Sequence, residues 1–290
     1  AIRSGFSTII YVVRREIERQ LRAHVEPIFG DAASLRFVHQ SLDNVPPSFS
    51  VPAGRTKPWG TAHAILAAEP HVDSPFGVCN ADDFYGAKAY GMLARHLSIS
   101  GSSTQEEPRT PVSSGRGGKD TRNRATDDYA LVGYPLENTL SPHGGVSRAV
   151  CRCDPTGYLE RLEEVTQIEK VDGQLTGIDS RGERVVLQGG ETVSMNLWGF
   201  APDLFDRLRR QFLEFLSSYG SSPAEEFLIP TAIGRQLAKG WARLRVLQSS
   251  DRWMGMTYSE DSPQFQQKLL ELVHRGVYPE DLKLGFPDPQ

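Results

Sequence analysis

Neither sign of charge dominates this sequence: 32 Lys and Arg stand against 36 Asp and Glu, a net charge of −4 over 290 residues. No global field recruits nucleic acid or an anionic membrane, and the default partner is a small molecule. No apolar run approaches the roughly 20 residues that span a bilayer, and Arg3, Arg14, Arg15 and Glu16 stand where a signal peptide would be apolar. Cysteine is scarce. Cys79, Cys151 and Cys153 cannot all pair, which fits a reduced, cytoplasmic protein better than a disulfide scaffold. Cys151 and Cys153 share a strand face, but no second pair stands at zinc spacing, and the histidines form no H-x-x-x-H pair or triad pattern. Zinc chemistry and hydrolysis therefore lack sequence support, and there are no internal repeats.

Residues Ala1 to Gly5 read as a helix tail closed by a glycine cap. Strands are expected at Ser7 to Val13, Leu35 to His39 and Phe76 to Asn80. They alternate with helices at Arg14 to Val25, Thr61 to Glu69 and Ala87 to Leu97, the pattern of a parallel α/β sheet. Residues 98–127 hold almost no large apolar side chain and are expected to be a disordered insertion. Beyond Tyr129, short strands separated by turns such as Asp172-Gly173 and Arg181-Gly182 predict an antiparallel or mixed portion, with helices at Pro202 to Ser218, Pro223 to Lys239 and Pro263 to Arg275. The expected fold is one α/β domain over 1–290, three-layered, with a mainly parallel, Rossmann-like sheet and added antiparallel strands.

Two stretches carry chemistry. In PFGVCNADDFYG (Pro75 to Gly86) an apolar strand stops at Asn80, Ala81, Asp82 and Asp83, so carboxylates arrive at the edge of a sheet, where they can hold a hard divalent cation such as Mg²⁺. In GRTKPWGTAHAILAA (Gly54 to Ala68) a Gly-rich turn enters a helix. Gly60 and Thr61 let backbone approach a planar base, and Arg55 and Lys57 are near enough in sequence to face phosphates.

Together these stretches resemble the sugar-phosphate nucleotidyltransferase family, which joins a nucleoside triphosphate to a phosphorylated sugar or small alcohol and releases pyrophosphate. Further likeness lies in GYPLENTLSPHGGVSRAVC (Gly133 to Cys151), VSMNLWGFAPDLF (Val193 to Phe205), EEFLIPTAI (Glu225 to Ile233) and DRWMGMTYSED (Asp251 to Asp261), so it covers most of the chain. The resemblance implies that Asp82 is the metal ligand and catalytic, with Asp83 beside it in the nucleotide site. It implies that His63 contacts the base, and that Gly133, Gly145, Asn196 and Glu226 line the sugar pocket. Lys170, the cation nearest to where relatives place an E-K pair, would be the catalytic contact to the acceptor's phosphate. The implied partners are an NTP and a phosphorylated sugar or small alcohol, with Mg²⁺ as cofactor and no nucleic acid or membrane. A homo-oligomer stays open.

Two departures from the family pattern stand out. No G-x-G-x-R loop precedes Gly54, so the domain is expected to be N-terminally incomplete and a weak catalyst by itself, with the strands at Ser7 to Val13 and Phe76 to Asn80 either closing on each other or leaving a gap. Where relatives carry a second metal carboxylate, two residues after a Trp, this chain has Gly255 after Trp253. These departures keep two alternatives alive: a nucleotide- or sugar-binding regulatory subunit, and a metal-dependent glycosyltransferase.

Overall fold

The computed structural model describes residues 1–30, 32–102, 126–255 and 261–281. The chain opens on a 3-10 turn, Ile2–Ser4, whose carbonyl at Ile2 is capped by the Gly5 N–H with Gly5 at φ 97°. Then come β1 (Thr8–Val13), α1 (Arg15–Phe29), β2 (Ser34–His39), α2 (Thr61–Ala68), β3 (Phe76–Val78) and α3 (Ala87–Ser102). After residues 103–125, which lie outside the described residues together with most of the insertion expected at 98–127, follow β4 (Thr126–Pro135), β5 (Val146–Cys153), β6 (Leu159–Val171), β7 (Gln174–Ile178), β8 (Arg184–Leu187) and β9 (Thr192–Phe200). The remainder is α4 (Leu204–Tyr219), α5 (Ile229–Ala238), β10 (Ala242–Gln248) and α6 (Asp261–His274). No helix among the described residues is long and apolar enough to cross a membrane.

The fold is mixed α/β, but the sheet corrects the expectation of a mainly parallel arrangement. β1 and β2 form a small parallel sheet of their own, while the large sheet runs β10-β4-β9-β5-β6-β7-β8 with β3 attached to β9. Within it only β10 and β4 are parallel; the other pairs are antiparallel. The reason lies in the connections. Asp172 and Gly173 take φ values of 50° and 83°, so β6 turns directly into β7, and a tight turn forces an antiparallel neighbour. β3, three residues long, pairs antiparallel with β9 rather than with β1.

Among the described residues the outer edges of β1 and β3 carry no ladder partner. The Phe6 ring, leading into β1, is 3.4 Å from where a Cβ would sit on Gly77 of β3, but β1 and β3 do not pair with each other.

Helices cover both faces of the large sheet. On one face Trp198 and Phe200 of β9 pack with Phe212 and Phe215 of α4, Ile233 of α5 and Ile65 of α2. On the other, Leu197 of β9 and Val132 of β4 meet Leu93 and Leu97 of α3. Successive strand residues point to opposite faces, so the apolar runs in β4 and β9 serve both cores at once. Trp59 anchors the first core: it is fully buried, its indole N–H donates to Leu42 O at 2.8 Å, and its ring meets Phe212 and Phe215 edge-on.

The expected helix from Pro223 begins only at Ile229, because the preceding segment is held extended by a distant partner. Phe227 N–H donates to Trp59 O at 2.6 Å, and Phe227 O accepts from Ala62 N–H at 3.0 Å. This pairing passes so close to Gly60 that a Cβ there would lie 2.5 Å from Phe227 O, and Gly60 itself sits at φ 110°, ψ 176°, a region open essentially to glycine alone. Gly60→Ala is therefore expected to destabilise the fold by about 3 kcal/mol, combining backbone strain with overpacking. Denaturant titration of the variant against the parent checks it, and a loss under 1 kcal/mol would show that the segment can yield.

Candidate active site at the fork on β9

β9 offers one long edge to two strands. Its residues Val193 and Ser194 pair with Val150 and Ala149 of β5, whereas Trp198, Gly199 and Phe200 pair with Val78, Gly77 and Phe76 of β3. Between the two stretches Met195 and Asn196 pair with neither. On the opposite edge the register with β4 slips at the same place, from Leu197 opposite Val132 to Ser194 opposite Gly133. Asn196 takes φ 62°, a left-handed conformation that Asn tolerates better than most residues but that still costs energy. Its Oδ1 accepts from the Trp198 indole N–H at 3.4 Å, and its N–H reaches Ser194 Oγ at 3.3 Å.

Where β3 and β5 part, a cleft of about 530 Å³ opens, within the usual range for small-molecule sites. Its floor is Ser194 to Asn196, one wall is Ser147 to Ala149 of β5 with Leu162 and Glu164 of β6, and Leu228, Pro230 and Thr231 at the start of α5 form another. Asn80, Asp83 and Trp253 close the end at which β3 terminates.

Asp83 is half-buried and held by its own loop. Asn80 Nδ2 donates to its Oδ2 at 2.9 Å. The Tyr85 hydroxyl, with one proton to give, lies 3.1 Å from the same oxygen and 2.8 Å from Met195 O, while accepting from the Asn80 N–H at 3.1 Å. Tyr134 fixes this layer from beneath by donating to Tyr85 O at 2.8 Å. Burial raises the Asp83 pKa above the ordinary carboxylate range, the Asp82 charge adds to the rise, and the donors Asn80, Tyr85 and Trp253 oppose it. Asp82 itself is exposed next to it. A short antiparallel bridge, Phe84 N–H to Met254 O at 2.8 Å and Met254 N–H to Phe84 O at 3.0 Å, pins Trp253 and Gly255 against this loop. A Cβ on Gly255 would lie 2.9 Å from Asp83 Oδ1. Asp251, farther along, serves the fold: its Oδ2 accepts from Lys88 N–H at 2.8 Å and Ala89 N–H at 3.3 Å, capping α3.

Asp83 and Asn196 thus line one cleft, with the exposed Asp82 next to Asp83 but outside the lining. The other expected contacts do not line it. Arg55 is buried with its guanidinium spent on carbonyls: Nη1 donates to Ser222 O at 2.7 Å, Nη2 to Pro58 O and Glu225 O at 2.9 and 2.8 Å, and the group stacks 3.7 Å from the Trp59 ring centroid. It ties the turn to the 222–227 segment and faces no phosphate. His63 is likewise a core residue: Nε2 meets Asn44 O at 2.9 Å, Nδ1 meets Gln40 Nε2 at 3.1 Å, and the ring lies 4.8 Å from that of Phe212. It has no free edge for a base. Lys57 and Glu226 are paired with each other at 2.7 Å, Gly60 is covered by Phe227, and Thr61 Oγ1 accepts the Ile229 N–H at 3.1 Å.

Gly133 proves to be a packing glycine, since a Cβ there would meet Thr192 Cγ2 at 2.2 Å. Gly145 lies under the β6 backbone at Gln167. Lys170 is exposed beside the β6–β7 turn, opposite Leu175, and lines no cleft. The cation that does line the cleft is Arg148, which sequence reasoning overlooked. Its signal was in the pattern: on β5 it falls in phase with the buried Val146 and Val150, where a cation is out of place.

Among the described residues no cluster of three or more His, Cys, Asp and Glu forms a complete metal cage. No protein-family model matches the chain, and no curated protein matches it.

His63 gives this region a pH signature. Burial lowers its pKa, with the nearby Arg55 charge adding and the Asn44 carbonyl opposing. The unfolded chain therefore takes up a proton more readily than the folded one, so stability present above the unfolded value of about 6.5 is lost as pH falls through it. The melting temperature is expected to drop between pH 7 and pH 5, and to drop less in His63→Gln; equal slopes for the two proteins would rule His63 out as the cause.

Proposed function

We propose that this chain is a nucleotidyltransferase of the sugar-phosphate type, transferring a nucleoside monophosphate from an NTP to a phosphorylated sugar or small alcohol with release of pyrophosphate. The observation that carries the reading is Asp83, just beyond β3 and next to the exposed Asp82, lining a cleft of about 530 Å³ whose floor includes the strained Asn196. The neighbourhood of Gly255 supports it further. The position where the family carries its second metal carboxylate adjoins Asp83 here, although this chain supplies no side chain.

Asp82 and Asp83 suit Mg²⁺. They are hard oxygen donors with no ion-pair partner among the described residues, and Mg²⁺ is commonly held by one or two carboxylates, with water and substrate phosphates completing the shell. When bound, the ion would neutralise charge on the reacting phosphates. The chain's own part is positioning. Asn80 and Tyr85 fix the Asp83 rotamer, Asn196 offers an amide to a sugar hydroxyl, and the walls from β5, β6 and α5 exclude water from one side of the acceptor. On this reading β1 and β3 flank the place of the family's opening strand. Among the described residues the facing edges of these two strands are unpaired, which leaves room for such a strand. A second reading, a nucleotide- or sugar-binding regulatory subunit, draws on Gly255.

Pyrophosphate release is the discriminating measurement, with a panel of NTPs, hexose phosphates and Mg²⁺. Mg²⁺-dependent release from one NTP, reduced about 100-fold or more in Asp83→Asn, is expected. A rise in melting temperature with nucleotide but no release would favour the regulatory subunit, and sugar transfer from a preformed nucleotide sugar would mark a glycosyltransferase. Asp83→Asn also tests the electrostatics. Because burial raises the folded pKa, ionised Asp83 costs stability as pH rises through that range. The ligand-free variant is expected to melt about 2 °C higher than the parent at pH 7, with the gain shrinking toward pH 4. A lower melting temperature at pH 7 would contradict the desolvation account.

A further inference from the structure

Arg148 is a buried cation without a counter-ion. It is 8% exposed, and no carboxylate among the described residues lies within ion-pair distance. Asp83 and Glu164 share the cleft with it, and only Asp83 acts on it electrostatically, without contact. Burial brings the guanidinium pKa down to about 10, the direction expected when charge is desolvated and not repaid. Three neutral acceptors hold the group in place: Nε donates to Thr139 Oγ1 at 3.0 Å, Nη1 to Ser147 O at 2.8 Å, and Nη2 to Thr139 O. The Trp253 ring lies 5.1 Å away on its face. These contacts orient the guanidinium but leave its charge unmatched, and of its five N–H groups one on each terminal nitrogen remains unused.

The Trp253 indole N–H lies in the same wall: it is buried beside Asp83, whose pKa it helps to lower, without a hydrogen bond of full geometry. The unpaired buried charge of Arg148 is costly, and the cost is relieved if an anionic oxygen group enters the cleft. The Arg55 guanidinium is equally buried and also lies over an indole, but its terminal nitrogens go to three carbonyls and it does not line this cleft.

We infer that Arg148, with the Trp253 indole N–H beside it, is the anchor for the phosphate group of the acceptor, so that the cleft between β5 and the end of β3 selects phosphorylated over unphosphorylated small molecules. The inference rests on the function proposed above and assigns to Arg148 the part that the resemblance gave to Lys170. Planar, fixed and always charged, a guanidinium suits bidentate contact with phosphate oxygens. Asp83 lies at the β3 end of the same cleft, so the acceptor's phosphate meets its attracting and repelling charges on different sides.

The test is binding to the intact chain, with inorganic phosphate, a hexose 1-phosphate and the same hexose lacking phosphate as probes in calorimetry and thermal shift. Hexose 1-phosphate is expected to bind and the bare hexose to bind at least tenfold more weakly. Arg148→Gln should weaken hexose 1-phosphate about 100-fold, with Arg148→Lys intermediate, while the affinity for NTP in the presence of Mg²⁺ stays within twofold. If Arg148→Gln does not fold, Arg148→Lys decides: it keeps the positive charge but loses the planar fork, and should weaken hexose 1-phosphate about fivefold or more. Equal binding of phosphorylated and bare hexose, or unchanged affinity in the folded variants, would overturn the inference. Its fate is separable from that of the function. Pyrophosphate release with Arg148-independent acceptor affinity would sink the anchor alone, whereas Arg148-dependent phosphate binding without pyrophosphate release would sink the transferase reading alone.

Discussion

One strand edge shared by two partners sets the rest of this molecule. β9 cannot keep β5 and β3 side by side along the same edge, so they divide it, and the two residues at the division give up regular pairing. Asn196 absorbs the misfit in a left-handed conformation. Everything of chemical interest follows from that division. It opens the cleft, it ends β3 shortly before Asp82 and Asp83, and it leaves Met195 O as one of two acceptors, with Asp83 Oδ2, for the single Tyr85 hydroxyl proton. Strain of this kind persists only where the surroundings over-determine it. Here the surroundings are two cores that grip β9 from both faces.

The cleft is electrically divided in the same way. A carboxylate whose pKa burial raises stands at one end and a guanidinium whose pKa burial lowers stands along the wall. Neither neutralises the other by contact. Had they paired, the site would be more stable and chemically inert. Kept apart, each retains an unsatisfied interaction that a ligand of opposite sign can claim, the usual bargain between stability and function at a binding site.

Much of the fold was legible because local signals agreed with it. The turn pair Asp172-Gly173, whose positive φ values are those the dipeptide favours, marks the hairpin between β6 and β7. Gly5 caps its short helix as its type suggests. What local pattern could not convey was partnership. The 223–228 stretch reads as helix until Trp59 and Ala62 claim the Phe227 backbone, and β3 reads as parallel until β9 takes it. The same blindness governs the site. Asp83 and Asn196 announce themselves by type and position, but Arg55 and His63 look available only to a reader who cannot see the 222–225 carbonyls that take up Arg55, or the Asn44 carbonyl and Phe212 ring that take up His63. Arg148 was visible as a charge on the apolar parity of β5, a conflict between pattern and residue of the sort that marks functional positions.

The uncovered rims of β1 and β3 carry a consequence for how the molecule behaves in company. The run Thr8–Val13 holds no charge, no proline and no glycine, the devices by which strands discourage strangers. In dilute solution water satisfies its outward amides; in a crowded one, any extended polypeptide competes for them. Because the chain passes straight from β3 into Cys79, Asn80 and the acidic pair, a visitor zipped onto that seam would stiffen the loop that presents Asp82 and Asp83. Stickiness and reactivity are thereby made neighbours in this chain.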